Sequence, residues 1–445
     1  GMLWQYDGVK PVEHNFHVYP ENFKATVTNS GGSMSNQTYY YVATYEWTDG
    51  QGLLHRSSPS VPLKVTVPSP SSYVTLNIPT LRLTYKTAPN KVRIVVYRWS
   101  QGQQTYYQIT SVTSPTLNDP SVDYVTIVDS ASDAQILGNT LLYTTGGVVE
   151  HIAAPAVVLS TMYKNRLFLV TAEDRNLIWY SNPVVQNTPV EMSDLLTTYV
   201  SPTTGAQGSS GPITAISAMD DKVIVFKKDA IYYITGNGPD ITGANNDFSE
   251  PIFITSSVGC DNPNSIVLMP SGLMFQSDKG IWLLGRDLST NYIGAPVESY
   301  NSMPIRSANV IPGTNQVRFV IDNSITLVYD YYQQQWGTFS NIRAISSTLY
   351  EGAQTYLNNL GQVYQETPGT YIDGSVPVLM SFTTAWANLA GLQGYERFYF
   401  MHLLGTYYTP FKLQVTLSYD FNSGASTSIM RSEEHTSELQ SPMFI

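Results

Sequence analysis

Cysteine is almost absent: the 445-residue chain has one, Cys260. No disulfide can close within the chain, and no cysteine-ligated metal cluster can form. Charge is scarce as well. Charged residues make up 13% of the chain, well below the usual quarter for soluble domains. No apolar run approaches the ~18 residues that a membrane-spanning helix requires. The first residues, GMLWQYDG, lack the basic region and apolar stretch of a signal peptide. Basic residues are in deficit, 23 Lys and Arg against 34 Asp and Glu, for a net charge of −11. That balance argues against a general nucleic-acid binder, whose footprint is a basic patch. It is compatible with a wall past which DNA slides without its phosphates being held, and equally with an ordinary acidic soluble protein, so charge alone does not decide.

The chain is rich in aromatics, with 32 Tyr, 15 Phe and 7 Trp, and its polarity comes from Ser, Thr, Asn and Gln. Aromatic and β-branched side chains with little Lys and Glu favour pleated sheets over helices. The expected class is all-β.

A hairpin recurs along the sequence. A tight polar turn leads into an apolar strand in KNRLFLV from Lys164, DDKVIVF from Asp220, SGLMFQS from Ser271, TNQVRFV from Thr314 and AQTYLNN from Ala353. Each is followed by an expected outer strand, starting at Leu177, Ile231, Ile281, Thr326 and Gln362. Recurrence at roughly 35 to 55 residues with β units fits the blades of a β-propeller. Strands such as KVIVF from Lys222 are apolar without alternation, as expected where neighbouring sheets cover both faces. The blades are placed at residues 148–375. The opening strand, within residues 1–19, reads as the outer strand of a blade whose inner strands would lie upstream, so the propeller is expected to be incomplete at the N-terminus.

Residues 20–147 interrupt this pattern with β character of their own. In YYYVATYEW, the alternating Tyr39, Tyr41, Ala43, Tyr45 and Trp47 share one face, and DGQG at Asp49 signals a hairpin. Short strands at Lys91, Tyr106 and Tyr124 complete the reading of an inserted β-sandwich of immunoglobulin or fibronectin type III kind. Residues 376–430 read as a C-terminal β segment. RSEEHTSELQS from Arg431 has no strand period and resembles a translated sequencing adapter, so 431–445 is expected to be a non-native tail.

No catalytic constellation is evident, and the chain is not expected to be an enzyme or to carry a cofactor. The glycine-rich GNGPD at Gly236 follows a strand but opens no helix, and GxxxxGK[ST] is missing, so Gly236 and Gly238 are expected to supply positive φ at a turn. His14 and His17 are three residues apart beside strand and turn signals, with no third metal ligand near in sequence. Cys260 reads as a small buried residue, with no base beside it. Paired carboxylates on propeller strands can hydrolyse glycosidic bonds. The candidates are Asp220, Asp221, Asp278, Asp322 and Glu351, most of them in expected turns, where Asp caps its own backbone.

A set of ordered motifs suggests a family. MLWQYDG, VEHNFHVYPE from Val12, TYEWTDGQGLLHRSSPS from Thr44, PITAISAMDDKVIVFKKDAIYYITGNGP from Pro212, VGCDNPNSIVLMPSGLMFQSDKGIWLLGRD from Val258 and AWANLAGLQGYERF from Ala385 stand in that order. Together they resemble the tail tubular B, or nozzle, proteins of short-tailed bacteriophages, over nearly all of Gly1 to about Asn422. The resemblance implies a virion structural protein of the phage tail, assembled in the bacterial cytoplasm. It implies a sixfold homo-oligomeric ring below an adaptor ring and portal that extends the DNA channel and supports fibres or a needle. A carbohydrate-binding or glycan-degrading virion propeller is the alternative, and paired inward carboxylates in an open pocket would favour it.

Overall fold

The computed structural model describes residues 1–142, 152–186, 189–201, 211–255, 257–321, 324–370, 372–373, 376–387, 402–403, 411–419, 421–433 and 443–444. The chain is nearly all β and divides into a unit of residues 1–368 and a second unit of residues 369–445.

The first unit contains a β-propeller. Its first blade orders Val157–Tyr163, Arg166–Thr171, Leu177–Tyr180 and Thr197–Tyr199 as an antiparallel meander. The second is Ile213–Met219, Lys222–Lys227, Ile231–Thr235 and Ile252–Thr255. Asn262–Met269, Gly272–Ser277, Gly280–Gly285 and Thr290–Tyr292 form the third. The fourth is Ile305–Ile311, Gln316–Ile321, Ile325–Asp330 and Gln335–Ser340. Ala344–Tyr350, Ala353–Asn358 and Val363–Gln365 make a three-stranded fifth. The first strand of each blade packs beside the first strand of the next, through all five, so these strands line the axis.

The recurring hairpins of the sequence are the second and third strands of these blades. The strands expected to be outermost are therefore third in line, and in four blades a further strand lies outside them. Two of these outermost strands, TTY at Thr197 and TNY at Thr290, are three residues long and carry little apolar pattern, because one edge faces away from the axis.

Packing explains why the second strands lack alternation. Val223 and Val225 join a core with Phe168, Val170 and Ile178 of the first blade. The residues between and beyond them, Ile224 and Phe226, join Leu273 and Phe275 of the third. Met274 then faces Val317 and Phe319 of the fourth. Each strand sends alternate side chains to opposite neighbours, so both faces are buried and the run Val223–Phe226 is apolar without a break.

Residues 24–129 form two sheets. One orders Tyr124–Asp129, Tyr73–Pro79 and Lys24–Thr28. The other is built on Thr38–Thr48 and Arg93–Ser100, with Leu54–Arg56, Leu63–Thr66 and Tyr106–Gln108 alongside. They share one core, to which Tyr39, Tyr41, Ala43, Tyr45 and Trp47 all contribute from one face, opposite Val74, Leu76 and Ile78. The other face of Thr38–Thr48 is also covered, where Val42 packs with Val95, Tyr97 and Leu142.

At the N-terminus, Trp4–Tyr6 pairs with Pro11–Glu13, and Leu3 packs with Ala154, Leu169 and Met192 against the first blade. In the second unit, Phe411–Tyr419 pairs with Asn422–Glu433. That strand continues through Arg431, where the sequence shows no strand period, because ladder hydrogen bonds to Phe411 and Leu413 need no side-chain pattern. Most of the AWANLAGLQGYERF motif lies outside the described residues.

Phe275 is fully buried, with its ring 5.0 Å from that of Phe226 across the second and third blades. Phe275→Ala should lower unfolding free energy by about 3–5 kcal/mol in denaturant titrations, whereas Tyr332→Ala on the surface should change it by less than ~0.5 kcal/mol.

Candidate functional site

The carboxylates singled out from the sequence separate when the blades are built. Asp220 and Asp221 form the turn between the first two strands of the second blade, and Glu351 occupies the corresponding turn of the fifth. Asp220 and Glu351 have φ of 52° and 50°, values that Asp tolerates in turns. Asp220 forms an ion pair with Arg286. Asp221 takes part through its backbone carbonyl, which accepts from Tyr163 Oη at 2.6 Å and Thr235 Oγ1 at 3.2 Å. Asp278 lies in the next turn of a meander, at the opposite end of its blade. Asp322 lies outside the described residues.

Asp278 lines the same cleft as Asp261, which sequence reasoning missed. Both line a cleft of about 510 Å³ formed by the third blade and the segment leading into the fourth. Asp261 precedes the first strand of its blade, and Asp278 follows the second, so antiparallel pairing brings both to one end. The only sequence signal was an Asp beside a strand start, which is common in turns.

The floor of the cleft is a fixed amide network. Asn262 Nδ2 donates to Gln276 Oε1 at 3.0 Å and to the Ile305 carbonyl at 2.6 Å. Gln276 Nε2 donates to the carbonyls of Met303 at 2.7 Å and Asn301 at 3.2 Å. The Ile305 amide donates back to Gln276 Oε1 at 3.1 Å. These bonds tie the third blade to the start of the fourth.

A second polar cluster sits where the two-sheet region meets the propeller. Lys86 is almost fully buried, and its ammonium donates to the carbonyls of Glu13 and Asn15, both at 2.6 Å. It lies 3.0 Å from Glu13 Oε1 and within 5.1 Å and 5.8 Å of the Phe16 and Trp47 rings. Burial lowers its pKa to about 8 against the opposing pull of Glu13. From the same segment, His14 Nε2 meets the Val190 carbonyl at 3.0 Å, and Asn15 Nδ2 donates to the Ile152 carbonyl at 3.3 Å. His14 is thus turned inward while His17 is exposed, so the pair does not converge. Among the described residues, no group of three or more His, Cys, Asp or Glu could hold a metal.

The remaining candidates have local explanations. Cys260 is fully buried, its Sγ 3.2 Å from the Asn262 carbonyl, and burial pushes its thiol up to about 12. Gly236 and Gly238 adopt φ of 123° and 77°, and a Cβ on Gly236 would fall 2.4 Å from the Asp247 carbonyl oxygen.

Burial pushes the His14 pKa down from 6.5 to about 4. The folded chain therefore takes up its proton only near pH 4, while the unfolded chain does so near pH 6.5. Stability should be unaffected by this group above pH 6.5 and fall as pH drops toward 4, by on the order of 3 kcal/mol. Denaturant titrations at pH 7.5 and 4.5 should show this loss, and His14→Gln should reduce it.

No protein-family model and no curated protein matches the chain. Solved structures of similar shape include a chain of the mitotic checkpoint complex, at 11% identity and a TM-score of 0.30, covering 80% of this chain and 94% of that one. Another is the WD40 β-propeller domain of Doa1, at 10% identity and a TM-score of 0.30, covering 66% of this chain and 75% of that one. YCF48 bound to a D1 peptide matches at 9% identity and a TM-score of 0.31, covering 79% of this chain and 83% of that one. The propeller described here is defined by its own blade order and inter-blade packing.

Proposed function

We infer that this chain is a structural protein of a short phage tail, a nozzle subunit that assembles into a ring and forms part of the DNA exit channel. The observation that carries this reading is the grip on residues 13–15. Lys86, on the sandwich side, holds the Glu13 and Asn15 carbonyls, while His14 and Asn15 hold carbonyls at 190 and 152 beside the first blade. The insertion and the propeller are coupled through one short segment, fixed on both sides, as a platform that transmits force between neighbours requires.

The rest of the reading follows the sequence resemblance. The ring would be sixfold, built from head-to-tail contacts between different patches, as closed cyclic assemblies require. The adaptor ring beside the portal would bind one end, and fibres or a needle the other. A net charge of −11 suits a channel past which DNA moves without specific binding. The reading requires no reaction and no cofactor. The carboxylates expected from the sequence do not converge, with Asp220 and Glu351 at one end of their blades and Asp278 at the other, whereas Asp278 and Asp261 line one cleft, the feature that the glycan-degrading alternative would use.

Mixed with the adaptor-ring protein of a short-tailed phage, the chain should form rings in electron micrographs and sediment as a single large species. Monomers that persist beside the adaptor would refute the reading. Incubation with bacterial capsule or peptidoglycan should release no product above background. A product lost on Asp278→Asn would instead establish a hydrolase.

A further inference from the structure

Asn237 and Gly238 form the one Asn-Gly pair in the sequence. Such a pair carries its own electrophile and nucleophile, because the Gly238 nitrogen can close a five-membered ring on Asn237 Cγ. Glycine leaves that nitrogen without a Cβ to shield it. The pair follows Ile231–Thr235 in the second blade, and Asn237 is exposed to the water that completes the reaction.

Three bonds to Asp247 hold the pair still. Its Oδ1 accepts from the backbone amides of Asn237 at 2.7 Å and Gly238 at 2.6 Å, and its Oδ2 accepts from Asn237 Nδ2 at 2.9 Å. The attacking nitrogen and the leaving amide are thus tied to one carboxylate. Led by the bond from the Asn237 amide, these contacts hold the Asp247 carboxyl below its usual pKa, so it is ionised at neutral pH. An ionised carboxylate has no proton to give to a departing Nδ2, and so weak a base does not strip the Gly238 amide. Asp247 is positioned by its neighbour Phe248, whose ring packs 5.0 Å from Tyr180 and 5.5 Å from Phe168 of the first blade. On the far side of the amide, the Lys164 ammonium donates to Asn237 Oδ1 at 2.9 Å, where it stabilises the charge that attack on Cγ places on that oxygen.

We propose that Asn237 is a deamidation site that Asp247 holds closed. Once freed from Asp247, the Gly238 nitrogen bonds to Asn237 Cγ and the Cγ–Nδ2 bond breaks. Nδ2 leaves as ammonia, taking the Gly238 amide proton. Water then opens the cyclic imide to aspartate, or to isoaspartate, in which the main chain runs through the former side chain. Isoaspartate displaces the Asn237 carbonyl that accepts from Arg166 Nε of the first blade at 3.0 Å. Aspartate sets a second carboxylate against Asp247. Both products loosen the joint between the first two blades. The site lies within one chain, so failure of ring assembly leaves it standing.

Peptide mass mapping of the full chain after incubation at neutral pH reads the Asn237, aspartate and isoaspartate forms directly. Asp247→Ala should convert Asn237 at least ~10-fold faster than the parent, the factor that goes with losing one charge-assisted hydrogen bond. Asp247→Asn, which keeps an acceptor but loses the charge, should fall between them. The parent unfolded in urea should outpace the folded parent by at least ~10-fold. Adding Lys164→Met to Asp247→Ala should slow conversion at least ~3-fold, whereas general loosening of the loop would speed it. Asp247 is exposed, and the melting temperature of each variant before incubation checks its folding. The converted chain should melt below the unconverted one. The proposal is overturned if Asp247→Ala converts Asn237 no faster than the parent, if unfolding does not speed conversion, if Lys164→Met speeds it, or if conversion leaves the melting temperature unchanged.

Discussion

The buried ammonium of Lys86 is the interaction on which the larger architecture of the first unit depends. Removing a positive charge from water costs several kcal/mol, and it is tolerated only where oxygens and aromatic faces replace the lost hydration. Here two carbonyls, a carboxylate and two rings do so. Every one of those groups except Trp47 lies in residues 13–16, so satisfying the charge fixes the path of that segment. The fixed segment then presents His14 and Asn15 to carbonyls beside the first blade. One side chain on an inserted loop thereby sets how the two-sheet region joins the propeller.

The same device recurs between blades. Lys227, fully buried in the second blade, donates to the Ser201 and Gly211 carbonyls at 2.9 Å and to Asn176 Oδ1 at 3.1 Å. Arg166 of the first blade reaches back to the carbonyls of Asn237, at 3.0 Å, and Pro239 of the second. Arg318 of the fourth meets Gln354 Oε1 at 2.8 Å and Glu366 Oε2 at 2.6 Å in and beyond the fifth. Within the two-sheet region, Arg98 bonds Asp129 at 2.7 Å and Asp133 at 2.9 Å over the Tyr39 ring. With charged residues so few, these cations act as cross-links between elements. Their long side chains reach across a joint that apolar packing alone would let slide.

The polar groups at the cleft are arranged differently. Its floor amides are engaged with one another and with backbone carbonyls, and its carboxylates Asp261 and Asp278 are exposed, whereas the cross-linking cations are buried. Asp278 stands in a turn as Asp220 does, but Asp220 is neutralised by Arg286 from the adjoining blade, and Asp278 shares its space with a second carboxylate.

The sequence by itself determined the all-β class, the repeating blades and the shared face of Tyr39, Tyr41, Ala43, Tyr45 and Trp47. These follow from periodicity and turn chemistry, which are local and so are written in neighbouring residues. The fourth strands of the blades were not legible, because short edge strands such as TTY at Thr197 are recruited by an existing ladder and carry little pattern of their own. Nor could the sequence show that Lys86 reaches Glu13, that Lys227 closes onto Gly211, or that Asp261 and Asp278 line one cleft. Those pairings depend on which strand ends the antiparallel meanders bring to the same side, and on which buried charges must find oxygens once water is excluded. Only the tertiary structure decides that, because the partners are distant in the chain and the energy that joins them arises only after the blades have packed.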